Sequence, residues 1–169
     1  MSVKRLCRMA LLTAIALTIF MVEAQLPALA PVPGMKLGLA NIVTVWALFS
    51  MGSTDALLIL LARVLLGSIF SGQMMTLIYS LSGGLLCFLV SWRMRRHLHA
   101  RQIWVAGVLG AAAHNIGQLL AATAVMRAGV VWYYCPILMA SGIVTGAFTG
   151  LAAQLLYARL SRTGLLPKG

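Results

Sequence analysis

The sequence predicts an all-α membrane protein, a bundle of six transmembrane helices with both termini cytoplasmic, forming a single transmembrane domain over residues 1–169. Three observations carry that expectation. Of the 169 residues, 62% are hydrophobic and only 9% are charged. A soluble domain carries about a quarter charged residues, so this chain has too little charge to clothe a surface in water. Apolar runs near the length needed to cross a bilayer, roughly 20 residues, recur along the chain. The basic residues gather between alternate runs, as the positive-inside rule requires of cytoplasmic loops.

The first run is Met9 to about Ala24, preceded by Lys4, Arg5 and Arg8. The second extends from about Leu37 to Met51, and the third, Ala56 to about Phe70, is short and contains Arg63. The fourth is Met74 to Trp92 and the fifth Ile103 to Met126. The sixth, Val130 to Leu160, is long enough to tilt or to begin irregularly at Tyr133-Tyr134-Cys135-Pro136, because proline has no N–H for the helix ladder. With six crossings, the clusters Arg93, Arg95, Arg96, Arg101 and Arg159, Arg162, Lys168 fall on the same side as the amino terminus, leaving Lys36 and Arg127 in outer loops. This places the chain as a multi-pass membrane protein. The rival reading of the first run is a signal peptide cleaved after Ala28-Leu29-Ala30, which would leave five spans. The retained helix is preferred, since Glu23 and Gln25 are tolerable in an outer loop.

Composition also narrows the chemistry. Glu23 and Asp55 are the only acids, too few for a carboxylate magnesium clamp or for paired-carboxylate hydrolysis. Cys7, Cys87 and Cys135 share no metal-ligand spacing. No Walker motif and no GxSxG are present, so neither ATP hydrolysis nor enzymatic catalysis is expected, and no metal or cofactor. The net charge of +11 could suggest nucleic acid, but the cations sit between apolar runs, where topology and anionic lipid headgroups account for them.

Polar residues within the spans carry the most functional information, because each costs free energy unless it finds a partner or water. Arg63 lies in the third run and Asn41 in the second; His114, Asn115 and Gln118 lie near the middle of the fifth. His114 and Gln118, four apart, share a helical face, and Gly117 lets another backbone or a ligand approach. These groups either lock helices together or line a ligand cavity, and the combination of Arg63 with His-Asn-x-x-Gln favours the cavity. Glu23, Lys36, Gln73, Tyr133 and Tyr134 fall at its outer mouth, Lys36 and Tyr133 having a further reading as interfacial anchors. Two permanent cations against one acid favour a partly anionic ligand. Gly142, Gly146 and Gly150 repeat every four residues, and Ser82-Gly83-Gly84 acts similarly; both predict close helix packing.

Pro33-Gly-Met-Lys-Leu-Gly-Leu-Ala-Asn41, His114-Asn-Ile-Gly-Gln118 and Tyr134-Cys-Pro-Ile-Leu138 together resemble the Gx transporter family, also labelled heptaprenyl diphosphate synthase component I. The six-helix layout is similar to the substrate-binding S components of energy-coupling factor (ECF) transporters. That resemblance implies a vitamin-like small-molecule substrate bound near the outer face, and partners in the form of a membrane scaffold subunit carrying two ATPases. It also implies that a small-residue AxxxA on the first helix meets the scaffold, a pattern that Ala10-Leu-Leu-Thr-Ala14 fits, although an internal packing stripe reads the same way. The expected substrate-lining set is Glu23, Lys36, Asn41, Arg63, Gln73, His114, Asn115, Gln118 and Tyr133, reached past the loop Ala24–Met35, stiffened by Pro27, Pro31 and Pro33. The synthase label implies prenyl-chain elongation, which two acids cannot support. A non-catalytic accessory subunit of isoprenoid or redox metabolism is therefore the alternative.

Overall fold

Helix starts and stops follow from local chemistry. The Ser2 hydroxyl accepts the Arg5 amide N–H at 3.4 Å, an N-cap that opens α1 (Val3–Glu23). Gly72, in the left-handed conformation at φ 64°, stops α3 (Ser53–Ser71) before α4 (Met74–Arg95) begins. Arg127, also left-handed at φ 50°, ends α5 (Ile103–Met126). A 3-10 turn over Gly129–Tyr134 then leads into α6 (Cys135–Arg162), whose first turn takes Pro136 without loss of a helical bond. These elements, with α2 (Asn41–Ser50), come from a computed structural model that describes residues 2–25 and 36–163. The Ala28-Leu29-Ala30 stretch, the three loop prolines and Lys168 lie outside the described residues.

Among the described residues, five helices are long and apolar enough to cross a membrane; α2 is not. Its 10 residues rise about 15 Å, half of a hydrocarbon core of about 30 Å. The expected second span of Leu37 to Met51 is thus corrected: Lys36–Ala40 enters as irregular backbone, with Gly38 at φ 80°. The segment still crosses the bundle. Gly38 meets Glu23 at the end of α1, and Asp55, just beyond α2, meets Arg5 at the start of α1. Non-helical backbone at such depth is tolerated where protein surrounds it.

Protein surrounds α2 on all sides, since it contacts each of the other five helices. Its Val43, Ala47 and Leu48 join Ile59, Leu60 and Val64 of α3 in the largest core cluster. On the other flank α5 and α6 meet backbone to backbone. A Cβ on Gly107 would stand 2.5 Å from the Gly150 Cα, and one on Gly150 would stand 2.7 Å from the Trp104 carbonyl oxygen. At Gly107 and Gly150 the predicted glycine stripe is therefore a seam of backbone against backbone, while Gly142 and Gly146 make room for the Asn115 and Ala111 side chains.

Large apolar side chains face outward on every long helix: Leu11, Ile69, Leu89, Leu120 and Phe148 are all exposed. A water-soluble monomer does not present apolar surface on this scale. The chain is a multi-pass helical membrane protein.

Candidate functional site

A central cluster of buried polar side chains is drawn from α2, α3 and α5. Asn41 is the first residue of α2, Arg63 lies in mid-α3, and His114 and Gln118 lie one turn apart on α5. All four are at most 5% exposed. Arg63 donates through Nη2 to the Asn41 Oδ1 at 2.5 Å, and the Gln118 amide Nε2 lies 3.0 Å from the His114 Nε2. Glycines make room for this packing. A Cβ on Gly38 would lie 2.8 Å from both the Asn41 Nδ2 and the His114 Cδ2, and one on Gly83 would lie 2.7 Å from the His114 Nδ1. Gly38 thus joins the α2 and α3 half of the cluster to the α5 half.

The charged groups sit over this cluster without pairing. Glu23, buried at the end of α1, accepts the Gly38 N–H at 2.5 Å. Lys36 holds its ammonium 3.4 Å from the centre of the Phe20 ring, a cation–π contact. Among the described residues the only ion pair is Arg5–Asp55, at the far end of α1, so Glu23, Lys36 and Arg63 are close but mutually unpaired. Burial pulls the Lys36 pKa below the ordinary lysine value; the Glu23 carboxylate works against that shift and the Arg63 guanidinium adds to it. The Lys36 Nζ, Arg63 Nε, Asn41 Nδ2, Thr44 Oγ1 and Gln118 Oε1 are buried with no hydrogen-bond partner.

Between α2, α4, α5 and α6 lies a cavity of about 10 Å³, walled by Gly38, Asn41, Val45, Cys87, Ala111 and Thr149 among others. That is room for about one water.

Not every expected residue joins the cluster. Gln73 is exposed just before α4, where its Oε1 accepts the Thr76 hydroxyl, and Tyr133 is 83% exposed in the turn before α6. The structure brings neither to the polar interior, and the Tyr133 position suits an aromatic anchor at the interface. Asn115 is fully buried but faces α6, donating to the Leu138 carbonyl at 2.5 Å beside Gly142, which makes it a helix-packing residue here. Ala10 and Ala14 are exposed on α1 and available to another helix. The sequence reading gave Gly83 a packing role and did not single out Gly38, Phe20 or Thr44 as site residues. Thr44 was within reach, lying three residues after Asn41 on the same helix face. Among the described residues no three His, Cys, Asp or Glu side chains come together as a metal site.

Fold and interior together define a polytopic helical membrane protein with a buried polar cluster under its short central helix. The chain belongs to the family described as heptaprenyl diphosphate synthase component I, which matches residues 12–156. No curated protein and no solved structure matches the chain.

Proposed function

We propose that this chain is the substrate-binding membrane subunit of an ECF-type uptake transporter in a bacterial cytoplasmic membrane. Its substrate is a small, micronutrient-like, partly anionic molecule, and partner ATPases drive transport through a membrane scaffold subunit. The observation that carries this reading is the set of three ionisable groups, Glu23, Lys36 and Arg63, gathered inside the bundle with no ion pair among them. Intramembrane charges that only lock helices pair with one another; charges left open mark a substrate path. Asn41, His114 and Gln118 adjoin them and supply orienting hydrogen bonds. Access requires Lys36–Ala40 to lift from His114, which breaks the bond from Gly38 to Glu23. Ala10 and Ala14 are the face offered to the scaffold, and the chain itself is non-catalytic.

A second reading is favoured by the family's description as one component of a synthase: a non-catalytic accessory subunit of isoprenoid metabolism. The interior polar groups would then serve packing alone, consistent with a water-sized cavity. Native mass spectrometry of gently extracted protein separates the two. A co-purifying small molecule, with uptake lost in Arg63→Ala, supports the transporter; a stoichiometric soluble enzyme with no small molecule supports the accessory subunit.

A further inference from the structure

Buried polar groups in native proteins nearly always find partners, so the atoms that lack one here describe what is missing. Asn41 turns its Oδ1 to Arg63, which fixes the amide orientation and leaves Nδ2 as a donor without an acceptor. Gln118 donates through Nε2 to the imidazole Nε2 of His114, which leaves its Oε1 as an acceptor without a donor. Arg63 Nε and Lys36 Nζ are cationic donors with no acceptor, the latter facing only the Phe20 ring. Asn41, Arg63 and Gln118 are each more than nine-tenths buried.

Thr44 Oγ1, Trp46 Nε1, His114 Nδ1 and Asn115 Oδ1 are buried without partners as well, and the four atoms on Asn41, Gln118, Arg63 and Lys36 are of two kinds. Two cationic donors match an anionic group. An amide donor and an amide acceptor match a carbonyl beside an N–H. The two halves adjoin: Asn41 bonds Arg63, a Cβ on Gly38 would meet both Asn41 and His114, and His114 bonds Gln118.

We infer that the ligand of this cluster is a small heterocycle bearing one acidic group and a lactam edge. The acid lies on Arg63 and Lys36, and the lactam lies between Asn41 Nδ2 and Gln118 Oε1. The inference rests on the reading of the cluster as a substrate site. An anion without the lactam would satisfy the cations and leave both amide atoms orphaned. A neutral lactam would leave the cations open. Glu23 repels a second acidic group, so a monoanion fits better than a dianion.

The test is equilibrium dialysis of the full chain in detergent with three radiolabelled probes: orotate (lactam and carboxylate), uracil (lactam alone) and benzoate (carboxylate alone). Native mass spectrometry identifies any small molecule that leaves the extracted protein. Orotate is expected to bind at least about tenfold more tightly than either half-probe, the effect of one unmet buried hydrogen-bond partner or charge. Gln118→Met should weaken orotate by about tenfold and leave benzoate unchanged; should that variant fail to fold, the probe comparison on the unaltered chain decides. Benzoate or uracil binding as tightly as orotate overturns the inference, as does a released molecule lacking either group, while the transporter reading stands. A protein that binds none of the probes overturns the inference alone; the transporter reading falls only where no small molecule co-purifies and Arg63→Ala leaves uptake unchanged.

Discussion

The two ends of α1 use the chain's two acids in opposite ways. At its start, Arg5 donates through Nε and Nη2 to Asp55 at 2.5–3.0 Å, a forked pair that fastens α1 to α3. Asp55 is buried and met there by a cation of matching geometry. At its other end, Glu23 is as deeply buried, yet its bond is to a backbone N–H, while two cations stand nearby without reaching it. A charge meant to hold helices together is placed against its opposite. A charge held apart from available opposites keeps its interaction free energy in reserve for something else. On the proposed reading, the contrast separates an end of the bundle that holds helices together from one that holds the substrate.

Replacing the open charge tests this most severely. Arg63→Met should lower retention of an anionic ligand by about 100-fold or more, since a buried cation is lost from opposite the anion and charged hydrogen bonds of this kind are worth about 2–5 kcal/mol. The same variant should change the thermal midpoint little, because removal of an unpaired buried charge is offset by loss of the bond to the Asn41 Oδ1, which costs about 1–3 kcal/mol. A large fall in midpoint would mean that Arg63 is structural and would erase the distinction between the two ends.

The glycine seam is the next largest effect, and it acts on stability alone. Gly107→Leu places a side chain where the Gly150 Cα and the Gly146 carbonyl already stand within 2.7 Å of a Cβ. Backbone on both sides cannot yield as a side chain can, so a loss of about 3 kcal/mol is expected, seen as a lower denaturation midpoint. Gly67→Ala on the α1 flank should cost less, because the Cβ there meets the Phe20 ring, which can shift. Asp55→Asn follows in size. It should lower the midpoint modestly, because Arg5 is about half exposed and solvent screens the pair, and it should leave ligand binding by the folded protein intact. Reduced ligand retention in Asp55→Asn would show that the two ends of α1 are coupled.

What the sequence disclosed followed from how local each signal was. Apolar runs and charge clusters located all the helices, because hydrophobic length and loop charge are properties of contiguous residues. The second helix was misread because the run Leu37-Gly-Leu-Ala looks helical in hydropathy alone, whereas Gly38 has a left-handed backbone that interrupts it. His114 and Gln118 were legible as a pair through their spacing of four. Arg63 with Asn41 and Arg5 with Asp55 are separated by 22 and 50 residues, and no local pattern announces such pairs. Gln73 and Tyr133 were grouped with the site by their place near helix ends. Depth along the membrane normal does not tell which way a side chain faces, and both turned outward.

The smallest effect has the most distinctive signature, because ligand-free stability and ligand affinity should move in opposite directions with pH. Burial and the Arg63 charge hold the Lys36 pKa below its ordinary value, and Glu23 only partly offsets them. In the window between the lowered folded value and the ordinary lysine value, the unfolded chain binds more protons than the folded one, so the empty protein gains stability as pH rises. An anion on Lys36 favours the ammonium form, so its affinity should fall as pH rises through the same window. Thermal unfolding and orotate dialysis across that range measure the two slopes. Lys36→Arg, whose cation does not titrate there, should flatten both. Parallel slopes would remove Lys36 from the anion's surroundings and leave it a lysine lying on a phenylalanine ring.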